Sequence, residues 1–481
     1  MKKNVNYFLI IIFGIFANHW IISPKNGFVF DDWAYLYKFK FMPIEAFLKI
    51  LPDSTYNDRP VGELFLKTLF GFFYDNYQLY HSVLLIIHIT NAILVFQILS
   101  IAINNIKPKF QSQKTIALLS AIIFVIWPKS TMAVQWNSAI FDLLGTFLAL
   151  IIIRLYLYKT NNISIKTIKY FLIISLFFIT LRTKEMFIVL PAILFVYEVI
   201  KNYSNFKKNL NQLFNPIILT QTVIAALYAF LLIRLKTNNQ IVNDLNSPYF
   251  MSFNPFVLIE NLFKYIFLYF NFGSVEFSFT QYNNKSILLV IGFLVAAIII
   301  ILKYRKNIHI ILGVVLLLPI SLLTVLPLKN LQHGLYLYFP SIILAFFISV
   351  IMFSFVKQFT KNHTQEKYLL LILISVITFI TTNNRSLELY RNFWFSVAEN
   401  NIKTYKSISQ IKSPEKESTI YVLNVNDQIN SFIQGHGAIF WFTYNDPSLK
   451  MELNPTSIDK NQNHYLILNY QDDIVTEIER K

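Results

Sequence analysis

Residues 27–60 read GFVFDDWAYLYKFKFMPIEAFLKILPDSTYNDRP. They follow the first hydrophobic stretch at once and end on Arg59-Pro60, just before the next apolar segments. Within them two adjacent carboxylates, Asp31 and Asp32, sit among Phe28, Phe30, Trp33, Tyr35 and Tyr37. An acid pair pressed against a membrane surface loses hydration and must find a partner. The stretch therefore reads as a catalytic first outer loop, residues 23–78, and the remainder as the membrane scaffold that holds it.

The composition supports such a scaffold. Of 481 residues, 55% are hydrophobic and 17% aromatic, while only 14% are charged. Soluble domains carry about 25% charged residues, so an integral membrane protein is expected. The formal charge of +16 does not imply nucleic acid, because the lysines fall in short loops between apolar runs. With no cysteine, disulfides, thiolate metal sites and thiol nucleophiles are excluded. The N-terminus resembles a signal peptide without a convincing cleavage site, so an uncleaved first helix is expected.

Apolar spans can be marked at 6–22, 79–101, 115–128, 139–158, 170–182, 186–200, 216–235, 286–303, 308–327, 335–356 and 368–382, about eleven in all. With Lys2 and Lys3 inside, alternation collects the loops bearing Lys107 and Lys109, Lys159 and Lys169, Lys207 and Lys208, Arg305 and Lys306, and Lys357, Lys361 and Lys367 on the inner face. That alternation requires residues 254–272 not to cross but to lie as an interfacial or re-entrant helix, with Glu260 and Lys264 one turn apart. From residue 385 the composition changes. Residues 385–411 read as an amphipathic helix, and 418–425 and 464–470 as strands. The expected fold is thus an all-α polytopic membrane domain, residues 1–384, followed by a small extracytoplasmic α+β domain, residues 385–481.

The distinctive polar residues all fall on the outer face. One carboxylate of Asp31-Asp32 can serve as general base for an acceptor hydroxyl, while the other orients it or helps bind a divalent cation such as Mg or Mn. The competing reading is a solvated acid pair or a helix cap. Arg59, which closes the run from Tyr56 to Pro60, suits bidentate phosphate binding. Lys184 could meet phosphate with Glu185 orienting it, or the two could close an ion pair in a tight turn. Trp136 could stack on a sugar, as could Trp33 and Tyr56, and Asp142 opens the helix after it. His333, Tyr336 and Tyr338 form the last outer cluster, readable as donor-binding or as an aromatic belt. His81, His88 and Asn91 share one helical face, where an interhelical hydrogen bond competes with substrate contact. No phosphate-cradling Gly-rich loop, nucleophile elbow or HExxH occurs, so nucleotide-sugar or ATP chemistry has no visible site.

The stretches FVFDDWAYL (28–36), YNDRPVGELFLKTLFG (56–71), YHSVLLIIHITNAILVFQIL (80–99), ALLSAIIFVIWPKSTMAVQWNSAIFDLLGTFLAL (117–150), LRTKEMFIVLPAILFVYEVI (181–200) and GLYLYFPSIILAF (334–346) occur in an order that resembles the GT-C superfamily of polytopic glycosyltransferases. Within it the chain is most similar to protein O-mannosyltransferase-like enzymes and to the membrane half of the TMTC-type mannosyltransferases. The resemblance implies a polyprenyl-phosphate sugar donor, an acidic catalytic residue at Asp31 or Asp32, and donor-phosphate contacts from Arg59 and Lys184. Gln332-His333-Gly334 stands where the family has Arg-Tyr, and Trp127-Pro128 where it has His-Pro.

The expected function is transfer of a hexosyl or pentosyl group, with inversion, to a hydroxyl of a glycan, lipid or protein. The Lys-, Asn- and Ile-rich composition suggests an AT-rich bacterial genome, hence a plasma-membrane enzyme with its site facing the periplasm or exterior. A transporter or flippase of lipid-linked saccharide, with the aspartates as coupling sites, is the competing class; the internal symmetry it would favour is not visible.

Overall fold

The computed structural model describes residues 4–52, 59–108, 110, 112–203, 215–237, 244–271, 279, 282, 284–303, 308–360, 370, 372–374, 385–425, 437–462 and 464–481. Tyr56, Lys2, Lys3, Lys109, Lys207, Lys208, Arg305, Lys306, Lys361, Lys367 and most of the expected last span, 368–382, lie outside the described residues.

Among the described residues the N-terminal part is mainly helical. Its elements are α1 (Asn4–Asn18), α2 (Asp32–Phe41), α3 (Pro60–Phe73), α4 (Tyr77–Ile106), α5 (Gln113–Ile126), α6 (Pro128–Gln135), α7 (Ile140–Leu157), α8 (Ile163–Thr183), α9 (Leu190–Asn202), α10 (Pro216–Thr237), α11 (Pro255–Phe270), α12 (Asn284–Lys303), α13 (Ile308–Leu322) and α14 (Ser341–Phe359). Among the described residues, six stretches are long and apolar enough to cross a membrane: Asn4–Ile22, Tyr77–Ile106, Asn137–Leu157, Ile163–Thr183, Pro216–Leu235 and Ser341–Gln358. The pair α5 and α6 adds a seventh if it is one bent span. Its 59° bend falls at Trp127-Pro128, where proline has no N–H to continue α5 but suits the first position of α6.

Two details differ from the sequence reading. The stretch after the first span is not an open loop, because α2, a short turn at Ile44–Phe47 and α3 occupy it. Pro60 starts α3 in the position that proline tolerates best. The expected short span 170–182 is a full helix from Ile163, since the Asn162 side chain accepts from Ile165 N at 3.2 Å and caps it about two turns earlier. The expected interfacial helix is α11, and its Lys264 pairs with Glu260 at 2.8 Å.

The C-terminal domain holds α15 (Arg385–Gln410), α16 (Ala438–Tyr444) and strands β1 (Thr419–Leu423), β2 (Lys450–Leu453), β3 (Tyr465–Gln471) and β4 (Ile474–Arg480). The sheet order is β2-β1-β3-β4, with β1 parallel to both neighbours and β4 antiparallel to β3. Strands β2 and β4 and helix α16 escaped the sequence reading. β2 is only four residues long, and β4 alternates charged side chains with its few apolar ones.

This domain clamps α2. Phe442 of α16 meets Trp33 at 5.9 Å and Tyr74 at 5.6 Å between ring centroids. Tyr37 packs on Trp441 at 4.9 Å. Lys40 donates to the Phe442 carbonyl at 2.7 Å with its ammonium 4.6 Å from the Phe442 ring centroid. Trp33 also packs on Tyr405 of α15 at 5.2 Å. Phe442→Ala would open a cavity at the centre of this cluster. We expect it to cost about 3–5 kcal/mol, read as a lowered Tm of the detergent-solubilised protein. An unchanged Tm would mean that the domain does not brace α2.

Candidate active site

The turn Phe28–Asp31 enters α2 under strain. Phe30 has φ 53°, a left-handed conformation that costs a bulky residue about 1–3 kcal/mol. Its ring is held by Trp136 at 5.6 Å and Trp394 at 5.5 Å, which offsets that cost and fixes the two residues that follow.

The acid pair divides into two roles. Asp32 is buried, and protein donors occupy both its oxygens. Oδ1 accepts from Ser138 N at 3.0 Å and Ser138 Oγ at 2.7 Å, and Oδ2 from Val29 N at 3.0 Å and Asn137 Nδ2 at 3.4 Å. Asp31 accepts from Trp136 Nε1 at 3.0 Å and faces a cleft. Burial raises the Asp31 carboxyl to about 6, against the Ser138 and Trp136 bonds that favour its ionised form. Burial, aided by the charge of Asp31, raises Asp32 to about 7, with the Ser138, Val29 and Asn137 bonds opposing.

The cleft has a volume of about 600 Å³, and Asp31, Arg59, Trp136, Lys184, Glu185 and His333 all line it. These residues come from the turn before α2, the start of α3, the α6–α7 junction, the α8–α9 junction and the segment before α14. The opposite wall is apolar, with Leu232, Ile233, Met251, Val325 and Leu328 among its side chains.

The cleft's charges pair across elements rather than along the chain. Arg59 Nε and Nη2 donate to Glu185 Oε2 and Oε1 at 3.0 and 2.8 Å, with the guanidinium 5.3 Å from the Phe141 ring centroid. Lys184 donates to Asp142, not to Glu185, and its ammonium lies 5.2 Å from the Tyr336 ring centroid. The alternative of a Lys184-Glu185 pair within the turn is therefore not what forms. Burial would raise Glu185, but the Arg59 charge overrides it and holds the carboxyl well below the usual range. Burial lowers Lys184 against the pull of Asp142.

Several expected contacts are elsewhere. Trp33 is buried against Tyr405 and Phe442, away from the cleft lining. His88 and Tyr338 bond to each other at 2.7 Å in the core, where Asn91 also reaches the Tyr338 hydroxyl at 3.2 Å. They form an interhelical hydrogen-bond network and are not at the cleft. His333 does line it, but burial and the nearby Lys184 and Lys129 lower its imidazole to about 3. It brings no positive charge to a phosphate at neutral pH, and its Nδ1 accepts from Leu335 N at 3.2 Å. Among the described residues no third carboxylate or histidine joins Asp31 and Asp32 in a metal-type cluster. Asn137 and Ser138 were missed by sequence reasoning. An Asn-Ser pair before an apolar run signals a helix cap, yet here both side chains turn to Asp32.

No known family profile matches the chain, and no curated protein matches it. Solved structures do. The Archaeoglobus fulgidus oligosaccharyltransferase, tethered with an acceptor peptide containing the NVT sequon via a disulfide bond, superimposes over 94% of this chain with a TM-score of 0.51 and 11% identity. The match covers 64% of that protein, so this chain spans less than two thirds of its length. ArnT from Cupriavidus metallidurans, bound to undecaprenyl phosphate, matches over 98% of this chain and 93% of its own, at 9% identity and a TM-score of 0.49. The fold is that of a polytopic membrane protein with several apolar helices and a small C-terminal sheet. At 11% identity the likeness to the oligosaccharyltransferase is one of fold alone.

The Lys184-Asp142 pair is buried on both sides, with side chains 4% and 3% exposed. Asp142→Asn would leave the ammonium uncompensated, at a cost of about 3–5 kcal/mol. We expect Asp142→Asn with Lys184→Met to recover most of that loss, measured by thermal unfolding in detergent. If the double variant is no more stable than the single one, the two groups are not coupled.

Proposed function

We propose that the protein is a membrane glycosyltransferase that moves a sugar from a polyprenyl-phosphate donor to a hydroxyl of a glycan, lipid or protein. The observation that carries this reading is the meeting of one unshielded carboxylate, Asp31, with Arg59 and Lys184 in a single cleft of a GT-C fold. The full reading has about eleven spans, with the cleft on the outer face of a bacterial plasma membrane and the donor's isoprenoid tail between the helices. Basic residues gathered in the alternate loops support that orientation.

In the proposed reaction Asp31 takes the proton of the acceptor hydroxyl as its oxygen bonds to the anomeric carbon. The bond from that carbon to the donor phosphate oxygen breaks, and the electron pair leaves on the phosphate. Arg59 and Lys184 stabilise the charge that develops there. A guanidinium carries five N–H donors and an ammonium three, so the Glu185 and Asp142 bonds leave donors for phosphate. One base without a second carboxylate nucleophile implies a single displacement with inversion. Asp32 holds α2 and Asp31 in position instead of reacting.

Transfer from a panel of radiolabelled polyprenyl-phosphate sugars tests the assignment. Asp31→Asn should lose about 10²–10⁴ of kcat, the usual worth of a general base. Because the base must be ionised and its carboxyl titrates at about 6, wild-type kcat/KM should rise through pH 6 and level off above pH 7. Undiminished transfer by Asp31→Asn would remove Asp31 from the chemistry. Lipid-linked saccharide flipping without transfer would replace the enzyme reading with that of a transporter.

Glu185 supplies a sharper test of the phosphate contact. Its side chain is 38% exposed and that of Asp142 3%, so Glu185 is the carboxylate that an incoming phosphate can displace. Glu185→Gln should therefore lower the donor KM severalfold, because Arg59 no longer has a competing anion. A raised KM would show that Glu185 holds Arg59 in its working orientation instead.

A further inference from the structure

Toward the other ends of the same helices, α4, α7, α9, α13 and α14 part around a second cavity of about 480 Å³. Its walls are almost wholly aliphatic and aromatic, with Val95, Leu99, Ile153, Leu194, Val314 and Phe346 among them. From Ile342 to Lys357 it follows α14 for about 22 Å at 1.5 Å of rise per residue, more than half the thickness of a hydrocarbon core of about 30 Å. At its inner end Phe339 packs on Phe187 at 5.4 Å, and this aromatic pair stands between the cavity and the cleft at Met186 and Leu335.

The opposite end of the cavity, the one away from the cleft, is basic. Lys107, at the end of α4, and Lys357, in the last turn of α14, both line it and are both exposed. Among the described residues neither is in an ion pair. The acids on these five helices are Asp142, in the cleft, and Glu198. Glu198 is already held by Lys201 at 2.8 Å, Asn202 at 2.9 Å and the Tyr156 hydroxyl at 2.9 Å. An apolar slot of acyl-chain length therefore ends at two lysines that lack a described counter-charge.

We propose that this slot is a binding site for an anionic phospholipid, with one acyl chain between the helices and the headgroup phosphate at Lys107 and Lys357. The shape selects a chain, since pockets of a few hundred Å³ lined by apolar groups favour such ligands. The lysine pair selects the headgroup, at about 1 kcal/mol per basic residue near a membrane surface. The site faces away from the cleft and does not depend on the sugar-transfer reading.

The full-length protein, purified in mild detergent, would be titrated with phosphatidylglycerol and with phosphatidylcholine while native mass spectrometry and Tm are recorded. We expect one phosphatidylglycerol per chain to be retained preferentially and to raise Tm. The double variant Lys107→Glu with Lys357→Glu changes only exposed residues and should bind phosphatidylglycerol about thirtyfold more weakly, approaching phosphatidylcholine. Ala102→Phe, which narrows the slot, should weaken both lipids alike. Equal retention of the two lipids by the wild type, or unchanged phosphatidylglycerol retention by the charge-reversed variant, would reduce the slot to ordinary lipid contact and overturn the proposal. Retention of a polyprenyl phosphate in place of phosphatidylglycerol, lost in the same variants, would overturn it in favour of the donor's tail.

Discussion

Two neighbouring carboxylates taken out of bulk water cannot both stay ionised without partners, because burial and their mutual repulsion each favour the neutral form. The fold meets this constraint by consuming one of them. Asp32 accepts two backbone amides, a hydroxyl and a carboxamide, which stabilises its carboxylate and fixes α2 to the start of α7. Asp31 takes the Trp136 indole N–H, with Ser138 also favouring its ionised form, and keeps a side open toward the cleft. The consecutive residues Trp136, Asn137 and Ser138 thus hold both acids and distinguish them.

The same junction explains why the C-terminal domain packs where it does. The helix that carries the acid pair is short and has little apolar length with which to anchor itself among longer helices. Its outward face is aromatic, and α15 and α16 cover it through Trp33, Tyr37, Tyr405, Trp441 and Phe442. On the proposed function, a brace on this helix would set the geometry of Asp31 at a distance, since a shift of about 1 Å at a reacting group can cost about a hundredfold in rate. The role of the domain follows from this packing, although no motif in its sequence announces it.

The sequence made the scaffold legible where the physics is local. Long apolar runs gave most of the helices, and the DD pair in an aromatic setting gave the acid that faces the cleft, while the helices that begin at Pro60 and Pro128 were not read as such. What escaped depends on partners distant in sequence. Arg59 and Glu185 were each singled out, but nothing near either residue says that they meet, and Lys184 takes Asp142 although Glu185 is its chain neighbour. His88 and Tyr338 carry chemistry-capable side chains and satisfy each other in the core instead. His333 reached the cleft as expected but without the charge that a phosphate contact needs, because two lysines and burial hold it neutral. A residue's type fixes what it can do, and the packing around it decides which of those options survives.

The charges in the cleft also bear on what it can bind. Arg59 and Lys184 are matched by Glu185 and Asp142, so the four groups sum to zero without a ligand. A cleft built in this way does not concentrate anions indiscriminately, as an unbalanced basic groove would. It admits an anion only by exchange, and the two carboxylates are not equally exchangeable. Asp142 begins a membrane helix and is sealed against Lys184, so removing it would strand a buried ammonium. Glu185 is partly exposed, so a carboxylate released from Arg59 there is rehydrated. A phosphate that meets Arg59 in the same bidentate fashion gains a comparable contact at small cost and leaves Lys184 undisturbed. This asymmetry allows anion binding at one fixed point beside Asp31 while the rest of the buried charge network stays intact.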